Sequence, residues 1–209
     1  MTVRVIGDIK LYTADIRDFS DAEYQKWYSL MDSDKQRRVD SFRFYDDKKR
    51  TVSGEMLART AVADMCGIAP GDIKFAAGEK GKPYALAQTA EFNISHSENM
   101  VICAASSLPV GVDIEKIRPV NLKTAKQFCS DDELLCLFGH KPSENEFTAV
   151  SEGEILKRFF RLWTKKEAYG KFTGEGLFFK NTDAECDEFF IEDAEGYIIA
   201  VCTAKNKGQ

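Results

Sequence analysis

Residues 110–115 read Val-Gly-Val-Asp-Ile-Glu, and this run constrains the fold more than any other in the 209-residue chain. It is too short and too β-branched for a helix of its own, and it alternates. On a strand, Val112 and Ile114 point to one face, while Asp113 and Glu115 share the other. A second stretch, Trp163-Thr164-Lys165-Lys166-Glu167-Ala168-Tyr169-Gly170-Lys171, has the opposite period. Trp163, Glu167 and Lys171 stand four residues apart and lie along one side of a helix. A strand with two acids on one face and a helix with an acid and lysines on one side need only be packed together to make a charged site. Three carboxylates beside two lysines suit a hard divalent cation and a phosphorylated ligand, because Mg²⁺ takes oxygen ligands, commonly one or two carboxylates plus phosphates.

Charge is unevenly placed. The chain carries a net −5, yet residues 35–50 hold seven basic groups against three acidic ones, and residues 157–171 hold six against one. Two basic segments in an acidic chain imply a local anion site rather than a nucleic-acid coat. The N-terminus, with Arg4, Asp8, Lys10 and Asp15, reads as neither a signal peptide nor a membrane span. Six scattered cysteines without a CxxC pair read as reduced thiols in a cytoplasmic protein, and two histidines at unsuitable spacing exclude a structural zinc site.

Turn signals and periodicity predict a strand or hairpin over 3–12 and helices over 21–31 and 33–40, the latter opened by a capping box at Ser33. A long helix over 46–66 has Val52, Leu57, Val62 and Met65 inward and stops at Gly67. A short strand follows over 73–76 and a loop over 78–83. Strands are predicted over 92–94, 100–105 and 110–115, and helices over 121–128 and 131–139. Residues 140–151 read as a loop, 152–172 as a long helix, and 186–192 and 197–204 as two strands. The class is α+β. Each half holds a basic long helix followed by strands, so the chain divides into an N-terminal half, 1–108, and a C-terminal half, 109–209, that carries the acids.

Several short runs join these two in fixed order: Arg50-x3-Gly54-x2-Leu57-x-Arg59, Gly81-Lys82-Pro83-Tyr84, Phe92-Asn93-Ile94-Ser95-His96-Ser97, Gly111–Glu115, Trp163-x2-Lys166-Glu167-Ala168-x2-Lys171 and Gly174-x-Gly176-Leu177. Together they resemble the 4′-phosphopantetheinyl transferases of the surfactin-synthetase-activating type, over most of the chain. The resemblance implies a monomer of two similar α+β halves related by a pseudo-twofold, with coenzyme A and Mg²⁺ (or Mn²⁺) between them. It also implies transfer of phosphopantetheine from coenzyme A to a serine of an apo acyl or peptidyl carrier protein, with release of adenosine 3′,5′-bisphosphate. Neither nucleic acid nor membrane is an expected partner.

By the same resemblance Asp113, Glu115 and Glu167 hold the metal. Glu167 also serves as base for the carrier serine, and Lys171 steadies the pyrophosphate with Lys166 beside it. Arg50 and His96 meet the 3′-phosphate, with Lys35 and Arg38 as looser additions, and Lys82, Pro83 and Ser95 hold adenine and phosphates. Arg59 is expected in a supporting role. Residues 139–153 bear on carrier preference, and Leu122, Phe128, Leu134, Leu137 and Phe138 form either a carrier-facing patch or plain core. Two other readings use the same residues: a non-catalytic coenzyme A or carrier binder, and a Mg²⁺-dependent phosphohydrolase with water in place of serine.

Overall fold

In chain order the elements are strands β1 (Thr2–Ile6) and β2 (Ile9–Asp15), then helices α1 (Asp21–Tyr28), α2 (Ser33–Ser41) and α3 (Tyr45–Cys66). Strands β3 (Phe75–Ala77), β4 (Pro83–Ala85), β5 (Glu91–Ser97), β6 (Met100–Ser106), β7 (Val110–Lys116) and β8 (Val120–Asn121) follow. Next come helices α4 (Ala125–Phe128), α5 (Asp131–Phe138) and α6 (Glu144–Thr148), strand β9 (Val150–Ser151), helix α7 (Gly153–Thr173), and strands β10 (Glu188–Ala194) and β11 (Tyr197–Thr203). This computed structural model describes residues 1–78, 81–174 and 188–204.

The main strands form two antiparallel sheets, one ordered β1-β2-β6-β5 and the other β10-β11-β7. The period of two decides how they stack. On β2 and β6, Tyr12, Ala14, Val101, Cys103 and Ala105 enter one apolar cluster with Val52, Leu57, Ala61 and Val62 of α3. Their alternates Ile9, Leu11, Ile102 and Ala104 pack against Val110, Val112, Ile114, Ile199 and Val201 of the second sheet. The remaining face of that sheet lies under α7, where Ala168 and Tyr169 meet Ala200 and Cys202. The order is therefore helix, sheet, sheet, helix, an α+β arrangement. Each fully buried aliphatic side chain at these contacts contributes roughly 1.5–3 kcal/mol.

Helix α3 forms as its period predicts: Val52, Leu57 and Val62 are buried, Met65 near its end is partly buried against the same cluster, and Gly67 ends it in the left-handed conformation at φ 67°. Elsewhere the structure differs from expectation. The N-cap of α2 is Asp32, whose carboxylate accepts from the Lys35 amide at 2.8 Å, so no box forms at Ser33. Only 125–128 is helical in the expected helix over 121–128, because Val120 and Asn121 pair with Ser151 and Val150 instead. That pairing also places a strand in the expected loop 140–151, and α6 occupies more of it. A Ser143–Glu146 capping box starts α6, and Phe147 buries its ring against Phe138 at 5.1 Å. The strand expected over 186–192 runs over 188–194, with residues 186–187 outside the described residues. Leu122, Phe128 and Leu137 are buried in the core beneath α7, and Leu134 and Phe138 are partly buried against it, as the core reading expects; Leu135, half exposed, faces solvent from α5. Cys66, Cys103, Cys129 and Cys136 are free thiols, as expected, but Cys202 is disulfide-bonded. The absence of a CxxC pair did not bear on a cysteine held on a strand.

Candidate active site

The close approach of α7 to β7 starts at Gly111. A Cβ there would lie 2.1 Å from the carbonyl oxygen of Ala168 and 2.5 Å from the amide nitrogen of Phe172, so only glycine admits the helix backbone. Val112 and Ile114 are committed to the contact between the sheets, which leaves Asp113 and Glu115 on the α7 side. One turn of α7 separates Glu167 from Lys171, and both face the strand's acids. The Lys171 ammonium donates to Asp113 Oδ1 at 2.7 Å and to Ser95 Oγ at 2.8 Å.

Strand β5 approaches β7 through side chains. Asn93 Oδ1 accepts the Val112 amide at 3.0 Å, Ser95 Oγ the Ile114 amide at 3.4 Å, and Ser97 Oγ the Lys116 amide at 3.0 Å. The two hydroxyls then donate to the acids, Ser95 to Asp113 Oδ1 at 2.7 Å and Ser97 to Glu115 Oε2 at 3.0 Å. The other oxygen of Glu115 accepts the Trp163 indole N–H at 3.2 Å.

Electrostatics follow from this crowding. Asp113 is only 4% exposed. Burial, then the charges of Asp113 and Glu115, push Glu167 up to about 7 against the opposing pull of Lys171. Burial and Asp113 also raise Glu115, while bonds from Ser97 and Trp163 and the charge of Arg118 work the other way. Asp113 Oδ2 is buried with no hydrogen-bond partner. An orphaned carboxylate oxygen beside two acids that repel it is a site short of positive charge. Among the described residues no three His, Cys, Asp or Glu side chains converge closely enough to hold an ion unaided. Lys171 supplies the countercharge in this arrangement. The donor set, all hard oxygens with one unsatisfied, fits a hard dication such as Mg²⁺.

The remaining predicted residues fall into two groups. Lys82 reaches this corner from the start of β4, next to Pro83, and its ammonium donates to the carbonyls of Lys171 at 2.9 Å and Val110 at 3.3 Å. Burial lowers its pKa. Arg50 of α3 donates to the Glu98 carbonyl at 2.8 Å, just beyond β5, and also pairs with Asp47. His96 is exposed on β5; partial covering of its ring and the charges of Arg50 and Lys171 hold it below its usual range. His96 feels the charges of Arg50, Lys171 and Asp113, so these groups lie near one another. Lys35, by contrast, is bound to Glu55 at 2.8 Å and lies over the Phe75 ring, and Arg38 is exposed on α2. Lys166 is turned away from Glu167: its ammonium, 2% exposed, lies 2.9 Å from Glu133 on α5. Arg59 is buried, bonded to Glu55 and to the carbonyls of Leu30, Pro70 and Ile73. Gly176 and Leu177 lie outside the described residues.

Ser97 and Trp163 bond the acids without having been predicted as site residues; Asn93 bonds only the backbone of β7, and Glu133 only Lys166. Polar side chains at every second position of β5, opposite Phe92 and Ile94, were the available signal. A cavity of about 540 Å³ opens beside this corner, lined by Glu115, Arg118, Pro119, Phe159, Phe160 and Trp163 among others.

Comparison with known proteins defines the class. A model of the N-terminal part of 4′-phosphopantetheinyl transferases matches residues 18–108, and the model of the 4′-phosphopantetheinyl transferase superfamily matches residues 109–203. A Bacillus subtilis 4′-phosphopantetheinyl transferase is 35% identical over 162 residues, covering 77% of this chain and 68% of its own. The 4′-phosphopantetheinyl transferase Sfp of Bacillus subtilis strain 168 is 34% identical with the same coverage. HetI of a Nostoc strain, also a 4′-phosphopantetheinyl transferase, is 32% identical over 77% of this chain and 66% of its own. The chain belongs to the 4′-phosphopantetheinyl transferase superfamily, and its activity is phosphopantetheinyl transfer to a carrier protein.

Proposed function

We propose that this enzyme uses the acids and lysine between β7 and α7 to move phosphopantetheine from coenzyme A to a carrier serine, releasing adenosine 3′,5′-bisphosphate. The observation that carries the reading is the arrangement of Asp113, Glu115 and Glu167 around Lys171, with Glu167 near pKa 7. Its placement makes Glu167 the base, since a bound dication would draw its pKa down from the raised value of the metal-free site. Glu167 takes the serine hydroxyl proton, the serine oxygen bonds to the phosphorus next to pantetheine, and the bond from that phosphorus to the bridging oxygen breaks. The electron pair leaves with the adenosine bisphosphate. Lys171 and Lys82 stabilise charge on the pyrophosphate; Arg50 and His96 receive the 3′-phosphate. Ser95 and Pro83 shape the floor, while Lys35, held by Glu55, and Arg38, exposed on α2, are left out of the site.

Asp113, Glu115 and Glu167 hold Mg²⁺ in this reading, or Mn²⁺ in its place. A bound dication supplies charge neutralisation at the pyrophosphate. Lys166 is reassigned from phosphate contact to the support of α7, on the strength of its bond to Glu133. The chain divides at residue 108: the strands of one sheet all precede it and those of the other all follow it. We assign a monomer acting in the cytoplasm, where coenzyme A is available, on an acyl or peptidyl carrier. Incubation with apo carriers, coenzyme A and Mg²⁺ adds one phosphopantetheine to a carrier; loss of coenzyme A without modification of any carrier would favour the phosphohydrolase reading.

A further inference from the structure

We infer that Ser97 is a positioning residue that sets the orientation of Glu115 before any ligand arrives. The inference rests on the reading of Glu115 as a cation ligand. Strands β5 and β7 meet in a repeating unit two residues long. A side chain on β5 accepts the amide of one β7 residue, and its hydroxyl donates to the carboxylate of the residue before. Ser95 does this at Ile114 and Asp113, and Ser97 at Lys116 and Glu115, with the same offset along both strands. Asn93 forms the first rung, at the Val112 amide. The residue before Val112 is Gly111, where the helix backbone takes the place of an acid.

A hydroxyl has one proton to donate and two lone pairs. Ser95 spends both lone pairs, on Lys171 and on the Ile114 amide, so its replacement would disturb the lysine as well as the acid. Ser97 is the cleaner case. Its hydrogen goes to Glu115 Oε2 and its lone pair to the Lys116 amide, so the carboxylate is referenced to the backbone of its own strand. Trp163 holds the opposite oxygen. A glutamate is a long, rotamer-rich side chain; one hydrogen bond on each oxygen, with the exposed Arg118 guanidinium 3.6 Å from Oε2, leaves a single orientation, which is how outer partners orient the ligands of a site.

The test is Mn²⁺ binding to the full chain saturated with coenzyme A, followed by loss of the free-ion paramagnetic resonance signal. Ser97→Ala weakens binding by about 10–100-fold, the usual effect of removing such a partner. Ser97→Thr, which keeps the hydroxyl, restores it to within about threefold of wild type. Ser97→Cys keeps the shape with a weaker donor and falls between; it serves if the alanine variant does not fold. Asn93→Ala breaks a rung that touches no acid, so it lowers the melting temperature while Mn²⁺ affinity stays within about threefold of wild type. Wild-type affinity in Ser97→Ala, or an equal loss in Asn93→Ala, overturns the inference and leaves Glu115 as a ligand. Failure of the wild-type chain to bind Mn²⁺ overturns the ligand assignment itself, and the inference with it.

Discussion

Gly111→Ala isolates the contact on which the whole site depends. The new methyl would sit 2.1 Å from the Ala168 carbonyl oxygen and 2.5 Å from the Phe172 amide nitrogen, both backbone atoms of α7. No rotamer relieves a clash with backbone, so the helix must retreat by more than about 1 Å to reach ordinary contact. Overpacking costs about 1–3 kcal/mol where side chains can adjust, and a rigid backbone places this case at the upper end. At about 2–4 °C per kcal/mol for a chain of this size, the melting temperature falls by roughly 6–12 °C. The retreat carries Glu167 and Lys171 away from Asp113, and a displacement of about 1 Å at reacting groups costs on the order of 100-fold in rate. Gly54→Ala is the control. A Cβ there, inside helix α3, meets only side chains, Ile94 at 3.4 Å and Val101 at 4.0 Å; the gain in helix propensity, up to about 1 kcal/mol, offsets the adjustment. The assays are thermal denaturation and the rate of phosphopantetheine addition to a carrier. Wild-type stability and rate in Gly111→Ala would refute the close approach of α7 to β7.

Stability responds to pH through Glu167. Its folded pKa of about 7 lies above the ordinary 4.5, so the stabilisation from its protonated form is complete below pH 4.5 and is lost as pH rises through 7. Glu115, raised by the same crowding, acts in the same direction. The melting temperature of the metal-free protein should therefore fall between pH 5 and about 7.5, less steeply in Glu167→Gln, and added Mg²⁺ should raise it more at the higher pH; a flat profile in all three counts against the buried acid cluster. If Arg50 and His96 receive the 3′-phosphate, dephospho-coenzyme A competes with coenzyme A less well, by about 10-fold or more for a lost charge-assisted contact; equal competition would remove both residues from the site.

Alternation made Val110–Glu115 legible as a strand, and the inward fate of Val112 and Ile114 then left the acids on the opposite face, as the structure has them. The face of α7 was legible from spacing alone, since Trp163, Glu167 and Lys171 follow the helical period. The same geometry bears on Lys166. It precedes Glu167 by one residue, about 100° around the helix, and so points at α5 rather than at the acids. The basic segments misled in part because helices also recruit cations for their own ion pairs. Lys35 goes to Glu55, Arg37 to Asp34, Arg158 to Glu154 and Arg161 to Asp193. The contacts of Asn93 and Ser97 lie 19 and 18–19 residues away along the chain. Nothing local reveals such a pairing until two strands are set side by side. Phe147, one aromatic in a polar stretch, had too few apolar neighbours in sequence to show a period, yet its burial orders α6.

The central claim is that the acids between β7 and α7 carry the transfer, and Asp113→Ala tests it most directly. The variant is incubated with coenzyme A, Mg²⁺ and a carrier that the wild-type enzyme modifies, and the carrier's intact mass is measured. Circular dichroism confirms the fold. The account predicts no gain of phosphopantetheine on the carrier while the variant remains folded, because the substitution removes the Lys171 anchor and the unsatisfied oxygen together. A carrier fully converted by the Asp113→Ala enzyme would contradict it.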